Sequence, residues 1–202
     1  MQNFSFFFEV CGFILTFAPI NVKKEKRMEH FSDLVRLRRS MRKFTDEPLT
    51  PDQVEVLLKS ALMSPSSKGK HAWHFVVVDD KALIEKLALC KAQGADFLAG
   101  APLAIVVVGD PEESDVWVED ASVAATVLLY QAEDLGLGAC WIQVRDRYTA
   151  EGEPADNIVR YLLKIPEPLR VVSIIAVGHK GMERKPFNEE RLLWDKVHVN
   201  GF

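Results

Sequence analysis

The chain has 202 residues, 48% hydrophobic and 27% charged, with 25 Lys+Arg against 29 Asp+Glu and a formal net charge of -4. That balance describes an ordinary globular domain and excludes a general nucleic-acid binder, because bulk phosphate binding needs net positive charge. The three cysteines, Cys11, Cys90 and Cys140, are odd in number and far apart, with no zinc spacing and no CxxC, which predicts reduced thiols and a cytoplasmic protein.

The first stretch, FSFFFEVCGFILTFAPI, is apolar and aromatic, and NVKKEKR follows it. A secretory signal carries its charge first and a small-residue cleavage site last. Here the order is reversed, Glu9 interrupts the run, and the run is short for a membrane-spanning helix. Residues 1–27 therefore read as an N-terminal apolar extension outside the core, with a signal-anchor as the alternative. No membrane attachment is expected, and Met28 opens a domain of residues 28–202.

In HFSDLVRLRRS, Phe31, Leu34, Val35 and Leu37 fall at helical spacing, predicting a helix that ends near Ser40. A stronger helix is predicted in TPDQVEVLLKSALMSP: Thr50 caps it, Pro51 suits the first turn, Gln53 completes a capping box and Pro65 stops it. SPSSKGKHAW is a polar loop and HFVVVDD a buried strand. A helix at KALIEKLALCKA and a strand at APLAIVVVGD come next. The long helix DVWVEDASVAATVLLYQAEDLGLG closes at Gly136 and is small or apolar on more than one face, which suits a subunit interface. ACWIQV and LRVVSIIAVG are strands, with a helix near PADNIVRYLLKI between them. Pattern alone suggests a doubly wound sheet.

Four cations, Arg38, Arg39, Arg42 and Lys43, surround Ser40. Arginine forks suit phosphate or carboxylate, and a hydroxyl donates to a further oxygen. Arg38 and Arg42 share a face if the helix continues that far; helix-end charge is the bland alternative. The Ser/Lys loop offers hydroxyls and amides to a polar ligand, or is a plain solvated turn. His71 and His74 have no carboxylate nearby in sequence and no third ligand, so no metal is expected. LGLGACWIQ feeds Cys140 and Trp141 into a strand, with no His–acid pair close to the thiol. After the last strand, VGHKGMERKPF gathers His179, Lys180, Arg184 and Lys185. No G-x-G-x-x-G, Walker loop, G-x-S-x-G or H-E-x-x-H occurs. Two basic clusters and a Ser/Lys loop remain, and together they suit a small, multiply anionic cofactor.

In order and spacing, RRSMRKF, PSSKGKHAWHF, APLAIVVV, the long apolar helix, GLGACWIQ and the terminal VGHK…RKP resemble the FMN-dependent nitroreductase family, over about residues 30–186. The resemblance implies an α+β fold with a central mixed sheet flanked by helices, in an intertwined homodimer with FMN at the subunit interface. By motif, Arg38, Arg39, Ser40 and Arg42 would hold the ribityl phosphate and the flavin's polar edge. Pro65, Ser66, Ser67, Gly69 and His71 would approach from the partner subunit, and Cys140, Trp141, Ile142 and Gln143 would line the isoalloxazine. His179, Arg184 and Lys185 would complete the phosphate site. The family loop often carries Asn and Gln where Gly69 and His71 stand, a departure that bears on substrate choice and flavin tuning.

The implied activity is a hydride passed from NAD(P)H through flavin N5 to a nitroaromatic, quinone or similar small electrophile, in ping-pong order. No side chain would be catalytic; the flavin carries the chemistry, with Arg42 as a tuning cation. Reductive dehalogenation, enone reduction and a non-catalytic flavin-binding module are the alternatives.

Overall fold

A computed structural model describes residues 9–10, 13–14 and 30–202. Two short strands, β1 (Glu9–Val10) and β2 (Phe13–Ile14), pair antiparallel. The rest of the expected N-terminal extension, Cys11 included, lies outside the described residues.

Helix α1 (Phe31–Leu37) stops three residues short of the predicted Ser40. Arg38 takes an extended conformation, φ -58° and ψ 120°. A sheet edge competes for the chain here. Ser40 forms a parallel bridge with Ala139, and the Met41 amide donates to the Ala139 carbonyl at 2.9 Å. Arg38 and Arg42 are therefore not on one helical face, and their side chains are set by an extended segment.

Helix α2 (Pro51–Leu62) forms as its start signal predicts. The Gln53 amide donates to Thr50 Oγ1 at 3.2 Å, and the Thr50 amide donates to Gln53 Oε1 at 2.9 Å. Strand β3 (Trp73–Val78), helix α3 (Lys81–Leu87), strand β4 (Leu103–Gly109) and helix α4 (Trp117–Asp134) follow. Then come β5 (Leu137–Gln143), α5 (Ala155–Leu163) and β6 (Arg170–His179). Helix α3 is shorter than its periodicity predicts. After Leu87 the chain tightens into i→i+3 bonds, Leu89 to Lys86 and Cys90 to Leu87, which turn Cys90 fully inward.

The four-stranded sheet has the order β3-β4-β6-β5, and every ladder is antiparallel. This corrects the doubly wound expectation. Hydrophobic periodicity marks strands and helices but carries no strand direction, and here α3 with the turn after it returns the chain antiparallel to β3. Among the described residues, the one parallel contact is the Ser40–Ala139 bridge at the outer edge of β5. One sheet face packs Ile84, Leu87, Ile142, Val159 and Ile174; the other packs Val54, Leu57, Leu128, Val172 and Ile175. Each such buried Leu, Ile or Val contributes about 1.5–3 kcal/mol by removal from water.

Candidate functional site

The segment 38–44 lies along the outer edge of β5. It can lie that close because Gly138 has no side chain: a Cβ there would stand 2.5 Å from Met41 Cγ and 2.8 Å from Met41 Cβ. Met41 itself is buried. Gly138→Ala is expected to lift the segment from the sheet and destabilise the protein by about 1–3 kcal/mol. At ~2–4 °C per kcal/mol for a chain of this size, a thermal melt reads the loss directly.

The segment's cations meet aromatic rings. Arg38 lies 6.0 Å from the Tyr130 ring centroid, Arg42 5.7 Å from that of Phe97, and Arg39 6.0 Å from that of Phe187. Arg39 Nη1 also donates to the Lys185 carbonyl at 3.0 Å, tying the first basic cluster to the last. Among the described residues, none of Arg38, Arg39, Arg42, Arg184 and Lys185 has a carboxylate partner. In a chain with more acids than bases, that is a set of guanidinium and ammonium groups left for an anion from elsewhere. A cleft of about 470 Å³ between the clusters is lined by Arg39, Met41, Glu133, Lys180, Gly181 and Arg184 among others.

Two basic residues of the last cluster are occupied differently. Lys180 Nζ lies 2.6 Å from Glu133 Oε1, and the Glu133 side chain is 10% exposed, so Lys180 serves the fold. His179 ends β6 with Nε2 3.8 Å from Glu47 Oε1, and its backbone carbonyl accepts from the Thr45 amide.

On β5, Cys140 and Ile142 are each 1% exposed, so those side chains belong to the core. Burial raises the Cys140 thiol above its ordinary pKa, while Arg42 and the Ser40 hydroxyl pull it down. Trp141 and Gln143 are half-buried. Trp141 Nε1 donates to Gln143 Oε1 at 2.9 Å, and Gln143 Nε2 donates to the Arg145 carbonyl at 2.8 Å. Lys91, which sequence reasoning missed, donates from Nζ to the Gln143 carbonyl at 2.9 Å. Burial lowers its ammonium pKa.

The loop after α2 is tightly wound. Lys68, Gly69 and His71 all have positive φ, 53°, 64° and 54°. Two of these are not glycine, and such conformations persist only where neighbours hold them. The His71 amide donates to Ser66 Oγ at 3.0 Å, and its ring meets Trp73 edge-on at 5.2 Å. The Ser67 amide donates to Asp120 Oδ1 at 2.8 Å. Asp120 sits on α4, 6% exposed, 53 positions away in sequence; no local pattern marks it.

Within one chain the loop and the basic segment do not meet. The loop leads into β3 and the segment lines β5, and these are the two edge strands of the sheet. At about 4.8 Å per strand spacing, the edges stand about 14 Å apart. The β3–β4 register also brings Asp110 and Glu113 beside His74, their ligand atoms within 4.8 Å of one another, partners that the sequence alone did not suggest. Both Glu112 and Glu113 amides already donate to Asp110 Oδ1, and Lys70 Nζ reaches the Glu113 carbonyl.

The cleft thus offers the guanidiniums of Arg39 and Arg184 to an anion such as a phosphate ester, while Arg38 and Arg42 of the same segment lie against Tyr130 and Phe97. A strand edge runs past it, suited to a flat polar heterocycle. Two acids also line the cleft, Glu183 and Glu133, the latter held by Lys180.

The Nitroreductase family model matches residues 35–95 and 90–179. A putative NADH dehydrogenase/NAD(P)H nitroreductase from Archaeoglobus fulgidus is 33% identical over 85% of this chain and 98% of its own length. A protein of the same description from Methanothermobacter thermautotrophicus is 31% identical over 83% of this chain and 85% of its own. Among solved structures, an FMN-dependent nitroreductase from Clostridium difficile superposes with a TM-score of 0.82 at 45% identity, covering 84% of this chain and 98% of that one.

Proposed function

The chain belongs to the nitroreductase family, and from that premise we propose that it is an FMN-dependent oxidoreductase working as a homodimer. The observation that carries the reading is the set of arginines and lysine without carboxylate partners among the described residues, drawn from both ends of the domain 28–202 and joined by the Arg39–Lys185 contact. Arg38, Arg39, Ser40 and Arg42 hold the phosphate and the polar edge of FMN. Arg184 and Lys185 complete the phosphate site, with His179 at its margin. Cys140, Trp141, Ile142 and Gln143 form the strand beside the ring, with Cys140 and Ile142 contributing main chain. Bound FMN would supply the redox chemistry, with NAD(P)H as the hydride donor and a nitroaromatic, quinone or similar small electrophile as the acceptor, in ping-pong order.

The separation of the two sheet edges supports a site shared between subunits. Pro65, Ser66, Ser67, Gly69 and His71 of each subunit then reach the other subunit's cofactor. An apolar groove of about 580 Å³ between α1 and α4, lined by Phe31, Leu34, Val123, Val127 and Tyr130 among others, supports the same arrangement. So does the arm beyond Phe187, where Leu192, Leu193, Trp194 and Val199 are all exposed. No helix among the described residues is long and apolar enough to cross a membrane, and the reading places the protein in the cytoplasm.

Anaerobic titration of the FMN-loaded protein with NADH and NADPH tests the proposal, followed by reoxidation with nitroaromatics, quinones and enones. Bleaching of the flavin and recovery with an acceptor are expected. Bound flavin that neither nucleotide reduces would mean a binding module instead. Sedimentation of the holoprotein as a monomer would remove the shared site.

A further inference from the structure

A second cleft, of about 320 Å³, opens at the end of the sheet where β5 leaves and β6 begins. Arg145, Arg147 and Arg170 line it together with Trp117, Tyr148 and Asp146. Two of the three guanidiniums have acid partners: Arg145 with Asp146 at 2.8 Å, and Arg170 with Glu167. Arg147 has none among the described residues. Its Nη1 donates only to the Asp146 carbonyl, and most of its fork stays open. Asp156, also in the wall, is taken by the Val171 amide and by Arg160. The floor is held by main chain, with the Ala155 amide on the Arg147 carbonyl and the Ala92 amide on that of Tyr148. Tyr148 is 54% exposed, a large ring left in water at the rim of a cationic cleft.

The cleft adjoins the strand assigned to the flavin. Trp141, Gln143 and Arg145 follow one another along β5 and its exit, linked by the two Gln143 side-chain bonds. Lys91 reaches the same stretch of β5, its Nζ donating to the Gln143 carbonyl at 2.9 Å. Guanidiniums beside the exposed Tyr148 ring and the half-buried Trp117 are a chemistry for a phosphate carried on a purine nucleoside. The flavin's own phosphate has its cations at the other end of β5.

We propose that the Arg145–Arg147–Arg170 cleft binds the 2'-phosphoadenosine end of NADPH, with Tyr148 or Trp117 against the purine, and thereby sets a preference for NADPH over NADH. This rests on the oxidoreductase reading above. The FMN-loaded enzyme is expected to use NADPH in preference to NADH, and 2',5'-ADP should compete with NADPH. Arg147→Ala should lose roughly tenfold or more in kcat/KM for NADPH, through KM, with NADH little changed. Tyr148→Ala should weaken 2',5'-ADP and 5'-AMP alike.

Calorimetric titration of the purified protein with 2',5'-ADP and 5'-AMP needs no turnover. Tight 2',5'-ADP binding that Arg147→Ala abolishes supports the site. Absence of binding to the unsubstituted protein, or equal loss toward NADH and NADPH in Arg147→Ala, overturns it. Binding of 2',5'-ADP that leaves NADPH kinetics untouched would mark a free-nucleotide site and likewise overturn the assignment to the reductant. Should the loaded protein oxidise neither nucleotide, the oxidoreductase reading falls, and the calorimetric arm still decides whether the cleft takes a phosphoadenosine.

Discussion

Replacing Arg42 with alanine is expected to weaken FMN retention about tenfold to a hundredfold, the equivalent of one charge-assisted hydrogen bond of about 1.5–3 kcal/mol. The guanidinium lies over Phe97, has no carboxylate among the described residues, and acts on the Cys140 sulfur beside the strand assigned to the ring. Removing a cation from the polar edge of the flavin also disfavours the reduced anion, so the midpoint potential of whatever FMN is retained should fall. Lys43, one residue on and exposed, provides the control. Lys43→Ala should hold FMN within about twofold, since an exposed charge with no assigned contact contributes little. Equilibrium dialysis of FMN, with a potentiometric titration of the bound fraction, measures both quantities. Equal retention in the two variants would remove the anchor assignment, and an unchanged melting temperature in Arg42→Ala would show that the loss is local.

The second large effect concerns Lys180. It looks like one more cation of the basic cluster, but it closes on Glu133, whose side chain is 10% exposed on α4. Truncating Lys180 strands that carboxylate. A fully buried pair broken this way loses about 3–5 kcal/mol. With the Lys180 side chain 34% exposed, solvent screens part of it, and about 2 kcal/mol is the reasonable expectation. For a chain of this length that is ~4–8 °C in Tm. Lys180→Met together with Glu133→Gln should recover most of the loss, because no charge is then left alone. A double-mutant cycle by calorimetry measures it, and additive losses would show that the pair is not coupled.

Much of the fold was legible where information is local. The Thr50–Gln53 capping box needed only four residues to recognise, and it formed as read. The buried strands β4 and β6 were legible as apolar runs. The end of α1 was not, because the competitor for Ser40 is Ala139, a strand edge nearly a hundred positions away. Strand order was illegible for the same reason. In the site, the basic residues were visible as clusters, but their division was not. Glu133 claims Lys180 across 47 positions and Asp120 claims the Ser67 amide across 53, and neither acid stands in a motif. The sequence shows Cys140 and Ile142 as part of a motif; only the packed sheet shows that their side chains face inward.

The position of β6 has a bearing on synthesis. It pairs with both β4 and β5, yet it is the last of the four sheet strands to be made. Until residues 170–179 leave the ribosome, β3 and β4 can zip together, while β5 has no ladder to join. Non-local pairing of this kind is slow and closes the core late. Arg39, made early, must wait still longer for the Lys185 carbonyl. A chain cut short by stalled translation would therefore lack both a closed sheet and a finished cradle. It would be open to proteolysis, with its early and late cations still apart.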